Sequence, residues 1–198
     1  MEIENIDVTN LKSDIRHLND MAEVVIDKEW LKTADNAELY YMYRKVKHEN
    51  GLNHNITVIP SKMLGEEFIK TAGHVHMGPQ QEIYTVLEGE AIFLMQKTNG
   101  ETVEDVYAVK ARAGESAVIP SFYGHVTINP SLQDLKTGDW SSDTTKSDYS
   151  LFKKLTGACY YYTKQGWLKN DNYKNVPDLR FEKPLKTVPQ NLDFLKQN

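Results

Sequence analysis

Residues 81–96 read Gln-Glu-Ile-Tyr-Thr-Val-Leu-Glu-Gly-Glu-Ala-Ile-Phe-Leu-Met-Gln. Two runs of strand length, 81–87 and 91–96, lie on either side of Gly89, a residue suited to the positive φ of a turn. The two-residue period of a strand puts Glu82, Tyr84 and Val86 on one side and Ile83, Thr85 and Leu87 on the other. Working outward, similar short runs fall at 40–45, 55–59, 67–71, 103–109, 116–119, 125–129 and 157–163, with turns at Asn99-Gly100 and Ala113-Gly114. Many short strands at such spacing predict an all-β sandwich or barrel. Before them, Ile15, Leu18, Met21, Val24 and Val25 recur near helical spacing, so residues 1–38 are expected to form a partly helical arm. After them, the polar and aperiodic stretch 129–150 reads as a long exposed loop, and residues 166–198 as an extension packed on the barrel.

Composition narrows the function. The chain has 198 residues, is 40% hydrophobic and 26% charged, and carries a formal net charge of -5. This is the profile of one ordinary globular domain, long enough to bury a core without staples. Cys159 is the single cysteine, so no disulfide forms within the chain. The mild acidic excess without a basic cluster argues against nucleic acid and against an anionic membrane surface. No run reaches the roughly 20 apolar residues of a membrane span, and the N-terminus lacks signal-peptide character. A cytoplasmic enzyme or binding protein is expected.

The chemistry concentrates at Thr71-Ala72-Gly73-His74-Val75-His76 and the following Glu82-Ile83-Tyr84. In a strand, residues two apart share a face, so His74 and His76 can direct both imidazoles at one ion. The short link Met77 to Gln81 carries Gly78 and Pro79 and can turn the chain to bring Glu82 beside them. His125, in Pro120-Ser-Phe-Tyr-Gly-His125-Val-Thr-Ile-Asn129, is a fourth candidate. A lone His-X-His is weak evidence, Glu82 on an alternating strand could face solvent, and His125 could be a hydrogen-bonded strand-end residue. The ordered set is stronger, because three imidazoles and a carboxylate suit a divalent transition metal. His17, His48 and His54 have no such company.

That ordered set resembles the two signature motifs of the cupin superfamily, small double-stranded β-helix or jelly-roll barrels. Together with Leu39 to Arg44, Asn55 to Pro60 and Gly65 to Phe68, it is similar to cupin-type glucose-6-phosphate isomerases over roughly residues 39 to 130, with a weaker echo to about Tyr162. The resemblance implies a cupin barrel over 39–165. It implies one divalent metal on His74, His76, Glu82 and His125, Fe(II) or Mn(II) in the cell with Zn or Ni able to replace it. It implies a sugar phosphate held by Thr57, Thr71 and Gly73, a cavity lined by Tyr43 and Tyr84, catalysis by Glu82 with Tyr160 or Tyr84 assisting, and a homodimer. The family also carries a His shortly after its late-strand Tyr. Here none follows Tyr160, so Lys164 or Gln165 would have to replace it. Two other readings of the same motifs are a metal-dependent oxygenase and a non-catalytic sugar-phosphate-binding cupin.

Overall fold

The structure, a computed structural model, describes residues 6–196. Its first sheet has six strands in the order β1 (Asp14–His17), β2 (Glu38–Glu49), β3 (Leu52–Ile59), β12 (Leu135–Ser142), β7 (Glu82–Glu88) and β10 (Ser116–Ile119). The second orders β13 (Ser147–Asp148), β6 (His74–His76), β11 (Tyr123–Ile128), β8 (Glu90–Asn99), β9 (Thr102–Arg112) and β16 (Arg180–Glu182). A small third sheet holds β15 (Gly166–Lys169), β14 (Tyr160–Thr163), β5 (Glu67–Phe68) and β4 (Met63–Leu64). The two large sheets make a cupin jelly-roll sandwich. Its main core gathers Ile59, Val86, Phe93, Leu94, Met95, Ile119, Val126 and Phe152, all essentially without solvent exposure.

Three segments differ from the expectations set by hydrophobic pattern. Residues 129–150 are not a long loop, because eight of them form β12 in the middle of the first sheet, paired to β3 on one side and β7 on the other. Its side chains are polar because Asp139 and Ser141 line a cavity rather than an apolar core. The outward Trp140 stacks on His54 at 4.8 Å and packs with Leu52, Ile83, Leu192 and Leu195. The arm begins as the edge strand β1, followed by two four-residue helices, Leu18–Met21 and Lys28–Leu31. Its apolar spacing reflects burial across this strand and turn: Leu18, Met21, Val24 and Val25 are buried while Ile15 is exposed.

The extension lies against the body at several points. β15 pairs with β14, β16 runs parallel to β9, and Leu185 bridges to Ser116. Leu192 and Leu195 close the small core under Trp140.

Candidate metal centre and its cavity

The His-Val-His run sits on β6, and β11 pairs with it so that His125 lies opposite His74. Glu82 opens β7 in the facing sheet. Each carries one ligand atom within 4.8 Å of all the others. Glu82 Oε2 lies 3.3 Å from His76 Nε2 and 3.4 Å from His125 Nε2. Donors on metal bonds of about 2.0–2.2 Å stand about 3 to 4 Å apart, so little movement separates this geometry from a coordinating one. Two buried atoms here, Glu82 Oε2 and His125 Nδ1, have no hydrogen-bond partner. A cation would satisfy the first. The Gln80 carbonyl, 3.1 Å from His76 Nδ1, fixes that ring and leaves Nε2 for the centre.

The electrostatics favour a cation as well. Burial holds the His74 imidazole down to about 4, and burial with the neighbouring His74 keeps His125 well below the usual range, so both present neutral lone pairs. His76 is raised, since the Glu82 carboxylate outweighs burial. Glu82 is lowered, because His76 beside it, with the other imidazoles around it, outweighs its burial. Asp139, on the neighbouring β12, is pushed well above the usual range by burial and then by the charge of Glu82. It also accepts a hydrogen bond from Asn55 Nδ2 at 2.7 Å. Of two adjacent carboxyls, one is thus held ionised and the other neutral.

The centre opens into a cavity of about 310 Å³. Three adjacent strands contribute one face of it in register: Asn55, Asp139 and Tyr84 in one row, Asn53, Ser141 and Glu82 in the next, with Thr57 one row further along β3. Gly73, at φ +77°, carries the chain into the His-Val-His strand. A Cβ there would lie 2.5 Å from Phe152 and Val126.

The sequence model of the family "Glucose-6-phosphate isomerase (GPI)" matches residues 15–178. The chain belongs to this isomerase family. A glucose-6-phosphate isomerase of Thermococcus litoralis is 30% identical over 135 residues, covering 65% of this chain and 69% of that one. The glucose-6-phosphate isomerase of Thermococcus kodakarensis is 27% identical over 134 residues, with the same coverage. Among solved structures, the Schizosaccharomyces pombe Cnp3 cupin domain superposes with a TM-score of 0.40 and 10% identity, over 58% of this chain and 72% of that one.

Against the isomerase family pattern, Thr57, Thr71, Gly73 and Tyr84 line the same cavity as the His/Glu cluster. The Tyr84 hydroxyl lies 3.5 Å from His125 Nε2. Tyr43 does not line it. On β2 the inward residues are Tyr40, Met42 and Arg44, and Tyr43 falls on the other face by the two-residue period. Tyr160 is also elsewhere: its hydroxyl donates to the Pro177 carbonyl at 2.7 Å and its ring meets Trp167, which excludes it from the assisting role. Lys164 and Gln165 lie in the β14–β15 turn, bound to Glu66, and replace nothing in the cavity. Sequence reasoning missed Asp139, Arg16 and Tyr149, all of which line it. The Tyr149 ring rests 5.4 Å from that of His74. No apolar period surrounds Asp139 or Tyr149, and only the Asx-rich polarity of 129–150 marked them, which points equally to a loop.

Proposed function

We propose that this protein interconverts glucose 6-phosphate and fructose 6-phosphate as a metal-dependent aldose-ketose isomerase, by moving a proton between C1 and C2 of the open-chain sugar. The observation that carries this reading is the convergence of His74, His76, Glu82 and His125 in a cavity also lined by Thr57, Thr71 and Gly73. A divalent metal on those four donors, Fe(II) or Mn(II) in our reading with Zn or Ni fitting the same set, would polarise the sugar carbonyl and steady charge on its oxygens.

The remaining work falls to the chain. Thr57, Thr71 and the Gly73 backbone hold the phosphate and so set the sugar's depth in the cavity. Thr71 Oγ1 already accepts the Thr127 N–H at 3.0 Å, which leaves its own proton free to donate. Glu82, kept ionised, takes the proton from one carbon and returns it to the other. Burial, with Glu82 beside it, keeps the Tyr84 hydroxyl protonated, so it serves as a hydrogen-bond donor at the sugar oxygens. Asp139, held neutral, steadies the carboxyl of Glu82 from β12.

The reading extends to a homodimer and a cytoplasmic location. Supporting the first, β1 leaves the outer edge of the first sheet unpaired among the described residues, with exposed Leu11 and Ile15 nearby. Among the described residues no helix is long and apolar enough to cross a membrane. The deciding experiment is a coupled assay of metal-defined protein with fructose 6-phosphate. Formation of glucose 6-phosphate, lost on chelation and restored by metal, is expected, with solvent hydrogen entering the product carbon. No product with Fe(II), Mn(II), Zn(II) or Ni(II) would defeat the proposal, and oxygen consumption instead would favour an oxygenase.

A further inference from the structure

We propose that Arg16, brought to the cavity by the N-terminal strand β1, is the cationic anchor for the substrate's phosphate; the identity of that substrate rests on the isomerase reading above. Arg16 lies opposite Tyr40 in the β1–β2 pairing, and both line the cavity. Its guanidinium lies beside the Tyr40 hydroxyl. That hydroxyl in turn accepts the Ala72 N–H at 3.3 Å. The cation is therefore held one phenol away from the backbone between Thr71 and Gly73, where hydroxyl and N–H donors already converge.

The charge is also available. Arg16 Nε is buried and has no hydrogen-bond partner, a state that costs free energy unless an acceptor arrives. The other arginine at this mouth, Arg44, is engaged, since its Nε donates to Asp14 Oδ2 at 2.9 Å. Asp20, whose charge acts on Arg16, accepts the His17 N–H at 2.9 Å. A planar guanidinium donor in a fork suits a phosphate better than a point charge would. The hydroxyls and N–H of Thr57, Thr71 and Gly73 supply directional donors, and Arg16 supplies the charge they lack.

The test compares wild type with Arg16→Gln, Arg16→Lys and Tyr40→Phe, using fructose 6-phosphate, unphosphorylated fructose and inorganic phosphate. In Arg16→Gln, KM for fructose 6-phosphate should rise about 10- to 100-fold, the range for a hydrogen bond to a charged group, with kcat little changed. The inhibition constant of inorganic phosphate should rise in parallel, while the slow turnover of fructose stays within about twofold. Arg16→Lys should restore part of the loss. Tyr40→Phe, which keeps the cation but removes the hydroxyl that aims it, should shift the same constants less. Equal losses on both sugars, or unchanged phosphate inhibition in Arg16→Gln, would overturn the assignment. Should wild type fail to turn over fructose 6-phosphate, the isomerase reading falls, yet calorimetry with inorganic phosphate still decides the anchor. Binding weakened in Arg16→Gln supports it, and equal binding, or none by wild type, overturns it.

Discussion

Strands β7 and β12 are neighbours in one sheet, and both send alternate side chains into the same cavity, yet their sequences look nothing alike. β7, Glu-Ile-Tyr-Thr-Val-Leu-Glu, is apolar enough to announce a strand, with Glu82 its one buried carboxylate. β12, Leu-Lys-Thr-Gly-Asp-Trp-Ser-Ser, is at least as buried but mostly polar. The difference lies in what each faces. Val86 on β7 helps close the core below the cavity, whereas Asp139 and Ser141 contribute to the polar wall. The hydrophobic period of a strand reports an apolar partner, and where the partner is a polar binding cavity the period disappears while the ladder remains.

The largest expected effect breaks the likeness between the two strands. Thr137 pairs with Thr57 on one side and Val86 on the other, so Thr137→Pro removes an interior N–H and should cost about 3 kcal/mol or more. Val86→Pro should be comparably damaging. Thermal and urea unfolding would measure both, and a well-tolerated Thr137→Pro would return residues 129–150 to a loop.

Much of the architecture is legible in the sequence for one physical reason. Strands such as β10 and β8 bury apolar side chains, so Ser116 to Ile119 and Ala91 to Gln96 show themselves. The His/Glu cluster is legible for another: His74, His76, Glu82 and His125 carry rare, chemically distinctive groups at spacings that suit a shared metal ion. Residues whose role depends on a neighbour in space are not. Tyr43 and Met42 differ by one position, and which of them faces inward is set by the register of β2, with its irregularity between Tyr43 and Lys47. Tyr160 looks like a cavity tyrosine until β14 is placed in the third sheet. Arg16 is invisible because an arm read as helical gives no reason to aim a guanidinium into the cavity.

A smaller effect sharpens the relation between the strands at the point where they touch. Asp139 is held neutral beside the ionised Glu82, so Asp139→Asn, which keeps a donor toward Glu82 and an acceptor for Asn55, should leave stability within about 1 kcal/mol of wild type. Turnover should fall less than tenfold. Asp139→Ala strands both partners in a buried site and should cost about 1–3 kcal/mol, with a visibly larger loss of turnover. Denaturation curves and kcat for the pair check this. Equal damage by Asn and Ala would mean that Asp139 works as a charge.

The central claim is that Glu82 both holds the metal and carries the proton, and it is tested most directly by turnover of fructose 6-phosphate against metal concentration for wild type and Glu82→Gln, with elemental analysis of each. An amide oxygen still coordinates but has no comparable basicity, and loss of a general base typically costs about 10² to 10⁴-fold. The expected result is one metal per chain in both proteins at saturation, with Glu82→Gln still at least about 100-fold slower. Full recovery of Glu82→Gln at saturating metal would contradict the account.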